Sequence, residues 1–161
     1  MVEKNYLYSV IDETVVGITK KIADISLSPC AQPRDPIAPN WSATKVEVTG
    51  LKDMRFFLYY QANPRLLCAI ARRMKGRPVE NSEDMGVYIK EYFNIICGRA
   101  ISRINREKKY AMRFGVPSYY AGGVTTLEKP VLKMFYECPE EGGAVSIIGV
   151  VTKIAFEQAE I

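Results

Sequence analysis

Apolar positions recur every three to four residues from Asn5 to Ala23, with Leu7, Ile11, Val15, Ile18 and Ile22 on one side, which predicts an N-terminal amphipathic helix. The pattern stops at SPCAQPRDPIAPNW, whose prolines at 29, 33, 36 and 39 fix φ and remove backbone donors. Residues 29–40 are therefore expected to form a Pro-rich surface loop. Two strands are expected next, Thr44 to Thr49 and Met54 to Tyr60, joined by a hairpin turn at Gly50-Leu51-Lys52-Asp53. Asn63-Pro64 places a capping side chain before a proline at the first helical position. Gly76 marks the end of that helix, and Leu66, Leu67, Ile70 and Met74 form its inner face. The longest periodic segment runs from Asn81 to Arg106. A step of about 100° per residue puts Met85, Ile89, Phe93, Ile96, Cys97, Ala100 and Ile104 on one arc. The opposite arc carries Asp84, Glu91, Asn94, Gly98, Ser102 and Asn105. Further strands are expected at Ala111 to Phe114, Gly122 to Leu127, Val131 to Cys138 and Ala144 to Ile154. The last two form a hairpin across Pro139-Glu140-Glu141-Gly142-Gly143. The expected class is α+β: a mainly antiparallel sheet with two long helices and an N-terminal helix packed on it.

Composition narrows the function classes. The chain has 161 residues, enough for one domain over 1–161 with its own core. No apolar run reaches the roughly eighteen residues of a membrane span, and MVEKNYLYSV lacks a signal-peptide layout, so a cytoplasmic setting is expected. Histidine is absent, which excludes Ser-His-Asp and Cys-His catalysis, His-ligated zinc and a His-borne phosphoryl relay. The four cysteines form no CxxC pair, so no metal site is expected. Cys68 and Cys97 fall at apolar helix positions, where reduced, buried thiols are expected. The net charge of +4 gathers at Arg65, Arg72, Arg73, Lys75 and Arg77, and at Arg99, Arg103, Arg106, Lys108 and Lys109. Most of these charges read as solvated helix flanks, and the functional alternative is attraction to an acidic partner; with no zinc finger, RNP-like motif or glycine-rich KH loop, nucleic acid is a minor option.

Candidate chemistry lies on the polar arc of the long helix. Glu91 and Asn94, three residues apart, project together, and Gly98 follows one turn later with no side chain. Glu-x-x-Asn occurs once in the chain and takes its weight from context. Val87, Tyr88 and Ile95 flank the pair, where they either form a contact surface or lie buried under a neighbouring loop, and Gly98 serves either partner access or close helix packing. Arg99 and Arg106 border the same stripe.

From Asn63 the chain reads NPRLLCAIARRMKGRPVENSEDMGVYIKEYFNIICGRAISRIN. This resembles the central part of the CheX-type chemotaxis phosphatases, the CheC, CheX and FliY group: a short helix ending in Met-x-Gly, an acidic linker, then a long helix bearing Glu-x-x-Asn. The family's continuation Asn-x-x-x-Gly-x-Ala is met by Asn94, Gly98 and Ala100. One motif rather than two matches CheX. The chain departs from the family in having Lys90 before the motif Glu, Arg99 after the motif Gly, a heavy aromatic strand MRFFLYY and the Pro-rich segment. The resemblance implies a CheC/CheX-like fold and hydrolysis of the aspartyl phosphate on a CheY-type receiver. Asn94 would position the attacking water and Glu91 would dock on the receiver lysine. It also implies contacts through Val87, Tyr88, Ile95, Gly98 and Arg99, no cofactor of the chain's own, Mg²⁺ supplied by the receiver, and a homodimer. The alternatives are a CheX-like binding module that docks a receiver without turnover and, more weakly, a nucleic-acid-binding domain using the basic helix flanks.

Overall fold

The computed structural model describes residues 3–31, 40–51, 54–122 and 130–153. The N-terminal periodicity becomes α1, Lys4–Ala23, which buries Val10, Ile11, Val15 and Ile18 and ends at Asp24 in the left-handed conformation. The Pro-rich segment is corrected at its start. Ser28–Cys30 form β1, an edge strand, where Pro29 is tolerated because an edge position needs no donor on its outer side. Residues 32–39 of that segment lie outside the described residues. The expected hairpin is β2, Ser42–Leu51, with β3, Met54–Ala62; both strands are longer than their apolar runs suggested, and positions 52 and 53 of the turn lie outside the described residues.

Helix α2, Pro64–Lys75, has the expected caps: the Asn63 side chain accepts from Leu66 N at 3.3 Å, and Gly76 closes the helix at φ 78°. Helix α3 is Ser82–Lys108. After it come β4, Arg113–Phe114, and β5, Ser118–Ala121, then β6, Leu132–Cys138, and β7, Gly143–Lys153. The expected strand Gly122 to Leu127 falls almost wholly outside the described residues. Extended pairing ends at Ala121, and Gly122 turns the chain at φ 102°. Ala111 to Phe114 narrows to β4.

The strands form one antiparallel sheet ordered β1-β6-β7-β3-β2-β4, with β5 also on the β2 edge. β4 pairs with Val48 and Thr49, and β5 with Ser42 to Lys45. Alternation explains the aromatic run in β3. Phe56, Leu58 and Tyr60 join Ile147 and Val145 in the core shared with the helices, while Phe57 and Tyr59 meet Ile148 and Val150 on the other face. Among the described residues no helix is long and apolar enough to cross a membrane.

The junction between α2 and α3 is fixed by polar groups. The Asn81 side chain accepts from Asp84 N at 2.8 Å, while Asp84 accepts from Glu80 N at 3.0 Å and pairs with Lys75. This is a variant of the capping box: one orphan donor of the helix start, Asp84 N, is satisfied by the cap side chain, and the Asp84 carboxylate reaches back to the amide of the residue before the cap. Lys75 is nearly buried, its side chain only 5% exposed, so removing its partner would strand an ammonium. The hydrogen bond from Lys75, followed by that from the Glu80 amide, holds the Asp84 carboxyl below its ordinary value. A lowered folded-state pKa stabilises the fold above the unfolded value, and that stabilisation is lost as pH falls through the folded value. Asp84→Asn is therefore expected to melt below the wild type at about pH 6, with the gap closing by about pH 2; thermal melts across that range check it.

Candidate functional site

Two adjacent side chains set the rotation of α3. Tyr92 and Phe93 are both fully buried, and their rings pack on Tyr60 of β3 with centroids 5.3 Å and 5.5 Å away. The Tyr92 hydroxyl bonds to Thr19 Oγ1 of α1 and lies 3.2 Å from the Tyr60 hydroxyl. Thr19 donates to Val15 O at 2.6 Å. Proton direction then runs Tyr60 to Tyr92 to Thr19 to the Val15 carbonyl, and each hydroxyl in the chain has a partner. Burial pushes Tyr92 up to about 12 and Tyr60 well above its ordinary value, so both remain neutral donors.

With positions 92 and 93 turned inward, the flanking positions 91 and 94 point to the opposite side of the helix. Glu91 is exposed and Asn94 is half-buried. Neither engages a described residue through a hydrogen bond or ion pair. The pair thus sits on a convex helix face, free to meet another molecule, on a helix that cannot rotate without breaking the hydroxyl chain.

The remaining expected contacts divide. Val87 is 56% exposed and stands beside the pair as expected, and Arg99 is exposed. Tyr88 and Ile95 are half-buried and pack against the core rim, so they border the stripe rather than stand on it. Gly98 is less open than the sequence implied, since an ideal Cβ there would lie 3.6 Å from the Phe114 ring of β4. Asn105 leaves the solvent stripe altogether: its carboxamide exchanges two 2.9 Å hydrogen bonds with the Met112 backbone and ties β4 to the helix. The inner face is wider than expected, taking in Tyr92, Ile101 and Gly86. Cys68 is another correction. It is exposed, because the core side of α2 is filled by Leu66, Leu67, Ile70 and Ala71, leaving Arg65, Cys68 and Arg72 outside. Cys97 is buried as expected, which raises its thiol to about 12.

Sequence reasoning missed β5, and it did not place either β5 or the expected β4 beside α3. Tyr119 of β5 covers Gly86, where an ideal Cβ would come within 2.8 Å of its ring, and Phe114 lies against Gly98. The usable signal was a pair of glycines inside one helix, since glycine there is disfavoured unless something approaches closely. No group of His, Cys, Asp or Glu among the described residues is arranged to hold a metal ion.

Residues 44–141 match the sequence profile of a family described as Chemotaxis phosphatase CheX. No curated protein sequence matches the chain. Among solved structures, the chemotaxis protein CheX from Vibrio vulnificus shares 18% identity over 94% of this chain and 100% of its own, with a TM-score of 0.74. A CheX–CheY–BeF3–Mg²⁺ complex from Borrelia burgdorferi aligns at 11% identity over 91% and 98%, TM-score 0.71. Thermotoga maritima FliY aligns at 13% identity over 88% and 85%, TM-score 0.60. At these identities the likeness to the solved structures concerns the fold.

Tyr92→Phe keeps the ring and deletes the hydroxyl, leaving Tyr60 and Thr19 without their shared partner. It is expected to cost about 1–2 kcal/mol, read as a shift in the denaturant midpoint at unchanged slope.

Proposed function

The chain belongs to the CheX family of chemotaxis phosphatases, and from that premise we propose that it hydrolyses the aspartyl phosphate of a CheY-type receiver domain. The observation that carries this reading is the Glu91–Asn94 pair, unbonded among the described residues and presented outward on a helix whose rotation is pinned from inside. A convex site suits a substrate that is itself a folded protein: the helix enters the partner's site.

An acyl phosphate is already activated, so its hydrolysis depends mainly on placing water in line with phosphorus. Asn94 fills that role, its carboxamide oxygen accepting from the water and its NH₂ group donating to phosphoryl oxygen. A carboxylate there would repel the phosphoryl group. The water oxygen bonds to phosphorus as the bond to the aspartate oxygen breaks, giving free carboxylate and inorganic phosphate. Glu91, one turn earlier, pairs with the receiver lysine and sets the docking register. Mg²⁺ belongs to the receiver and neutralises phosphoryl charge there; the relative from Borrelia burgdorferi was solved as a CheX–CheY–BeF3–Mg²⁺ complex. Val87 and Gly98 complete the contact face, with Tyr88, Ile95 and Arg99 at its border. The reading extends to a homodimer in the cytoplasm with no cofactor of its own.

A second reading, docking without turnover, draws on Lys90 and Arg99, which place exposed charge on either side of Asn94. Decay of phosphoryl label on CheY-type receivers separates the two. Asn94→Ala is expected to lower kcat about 100-fold with KM little changed. Glu91→Ala is expected to raise KM about tenfold, the worth of a charge-assisted contact. Both variants should melt like the wild type, since neither side chain holds the fold. Wild-type rates in either variant would remove the role given to that residue, and wild-type binding without faster decay would favour the docking module.

A further inference from the structure

A groove of about 470 Å³ runs between α1 and α3. Its walls set four cationic side chains, Lys21, Arg99, Arg103 and Arg106, against one carboxylate, Glu13. Arg103 is already engaged, pairing with Glu13 through Nη1 and with Glu107 through Nε at 3.0 Å. Lys21, Arg99 and Arg106 are exposed and form no ion pair among the described residues. Three like charges facing one groove repel one another unless a partner neutralises them. Gly17 adds an independent observation. It lies in the middle of α1 on the groove wall, and an ideal Cβ there meets nothing within 4 Å. No neighbour requires glycine, which is disfavoured inside a helix, and its bare backbone leaves the groove open.

The groove adjoins the Asn94 face. Ser102 lines both it and the shallow hollow containing Gly98 and Phe114. Arg99 lies five residues beyond Asn94, about 7.5 Å along the helix axis and about 140° round it, so the groove opens on the flank of α3 next to the Asn94 face, across Ser102. A folded domain seated on Asn94 and Gly98 meets the groove by curving round that flank of the helix.

We infer that the α1–α3 groove docks an acidic segment of the receiver partner and sets affinity and salt dependence, leaving the chemistry to Asn94. This rests on the reading of Glu91 and Asn94 as a receiver-facing pair. Four cations set against one carboxylate select an acidic occupant, and it is a segment of the receiver surface separate from the carboxylates that hold its Mg²⁺, which the metal already engages. Guanidinium groups match carboxylates through paired hydrogen bonds. A nucleic-acid duplex would call for a longer positive track, and Glu13 interrupts this one.

The test is a double charge reversal on opposite walls, Lys21→Glu with Arg106→Glu, beside the charge-retaining pair Lys21→Arg with Arg106→Lys. Binding is measured to a panel of CheY-type receivers loaded with Mg²⁺ and beryllofluoride, and turnover on the same receivers carrying phosphoryl label. The reversal is expected to weaken binding and raise KM at least about tenfold, to hold kcat within about twofold, and to flatten the salt dependence, while the charge-retaining pair keeps the wild-type salt dependence and loses no more than about threefold in affinity. Unchanged KM and salt dependence, with wild-type turnover intact, would overturn the groove assignment and leave the phosphatase reading standing. Groove-dependent receiver binding without turnover in the wild type would do the reverse. A reversal that abolishes duplex DNA binding and spares receiver binding would reassign the groove to nucleic acid.

Discussion

The structure depends on the buried contact among Tyr60, Tyr92 and Thr19. It joins the sheet, α3 and α1 through hydroxyl groups deep enough that an unmade hydrogen bond is costly. Apolar packing of the buried residues of α3 sets which face of the helix turns inward, and polar contacts narrow its rotation further. A hydroxyl chain is directional. With Phe93 beside it on Tyr60, Tyr92 admits one rotation of the helix, and that rotation presents Glu91 and Asn94 together. The fold supplies a rigid helix face, and the residues on it decide what the face can do.

The polar junctions hold the helix along its length in the same way. The Asn81 cap and the Lys75–Asp84 pair fix where α3 begins, and the Asn105–Met112 hydrogen bonds fix β4 beside its last turns. At the side of α3, Arg103 joins Glu13 and Glu107, tying α1 to the helix near the cationic groove. Site precision thus comes from several satisfied polar contacts placed around one apolar core, consistent with chemistry that depends on positioning.

Much of this was legible in the sequence. The caps at Asn63, Gly76 and Asn81 have local causes, and the helices follow from strong periodicity. The Glu-x-x-Asn pair was found because surface residues on a long helix follow its geometry. What was hidden depends on neighbours far apart in the chain. Asn105 reads as solvent polarity until the Met112 backbone is placed beside it. Cys68 reads as core until Leu66, Leu67, Ile70 and Ala71 have filled the inner side of α2. β5 escaped notice because Ser118–Ala121 is only a few residues long and takes its strand character from pairing with β2. β1 was hidden by Pro29, which an edge strand tolerates.

In the proposed reaction the Asn94 carboxamide, held outward by the buried tyrosine contact, positions the water that hydrolyses a receiver's aspartyl phosphate. The most direct measurement is single-turnover decay of phosphoryl label on a receiver mixed with Asn94→Asp, which keeps the shape of the side chain and replaces the amide with a carboxylate. If Asn94 positions the water, decay is as slow as with the receiver alone while the variant keeps the wild-type fold. Decay as fast as with the wild type would contradict it.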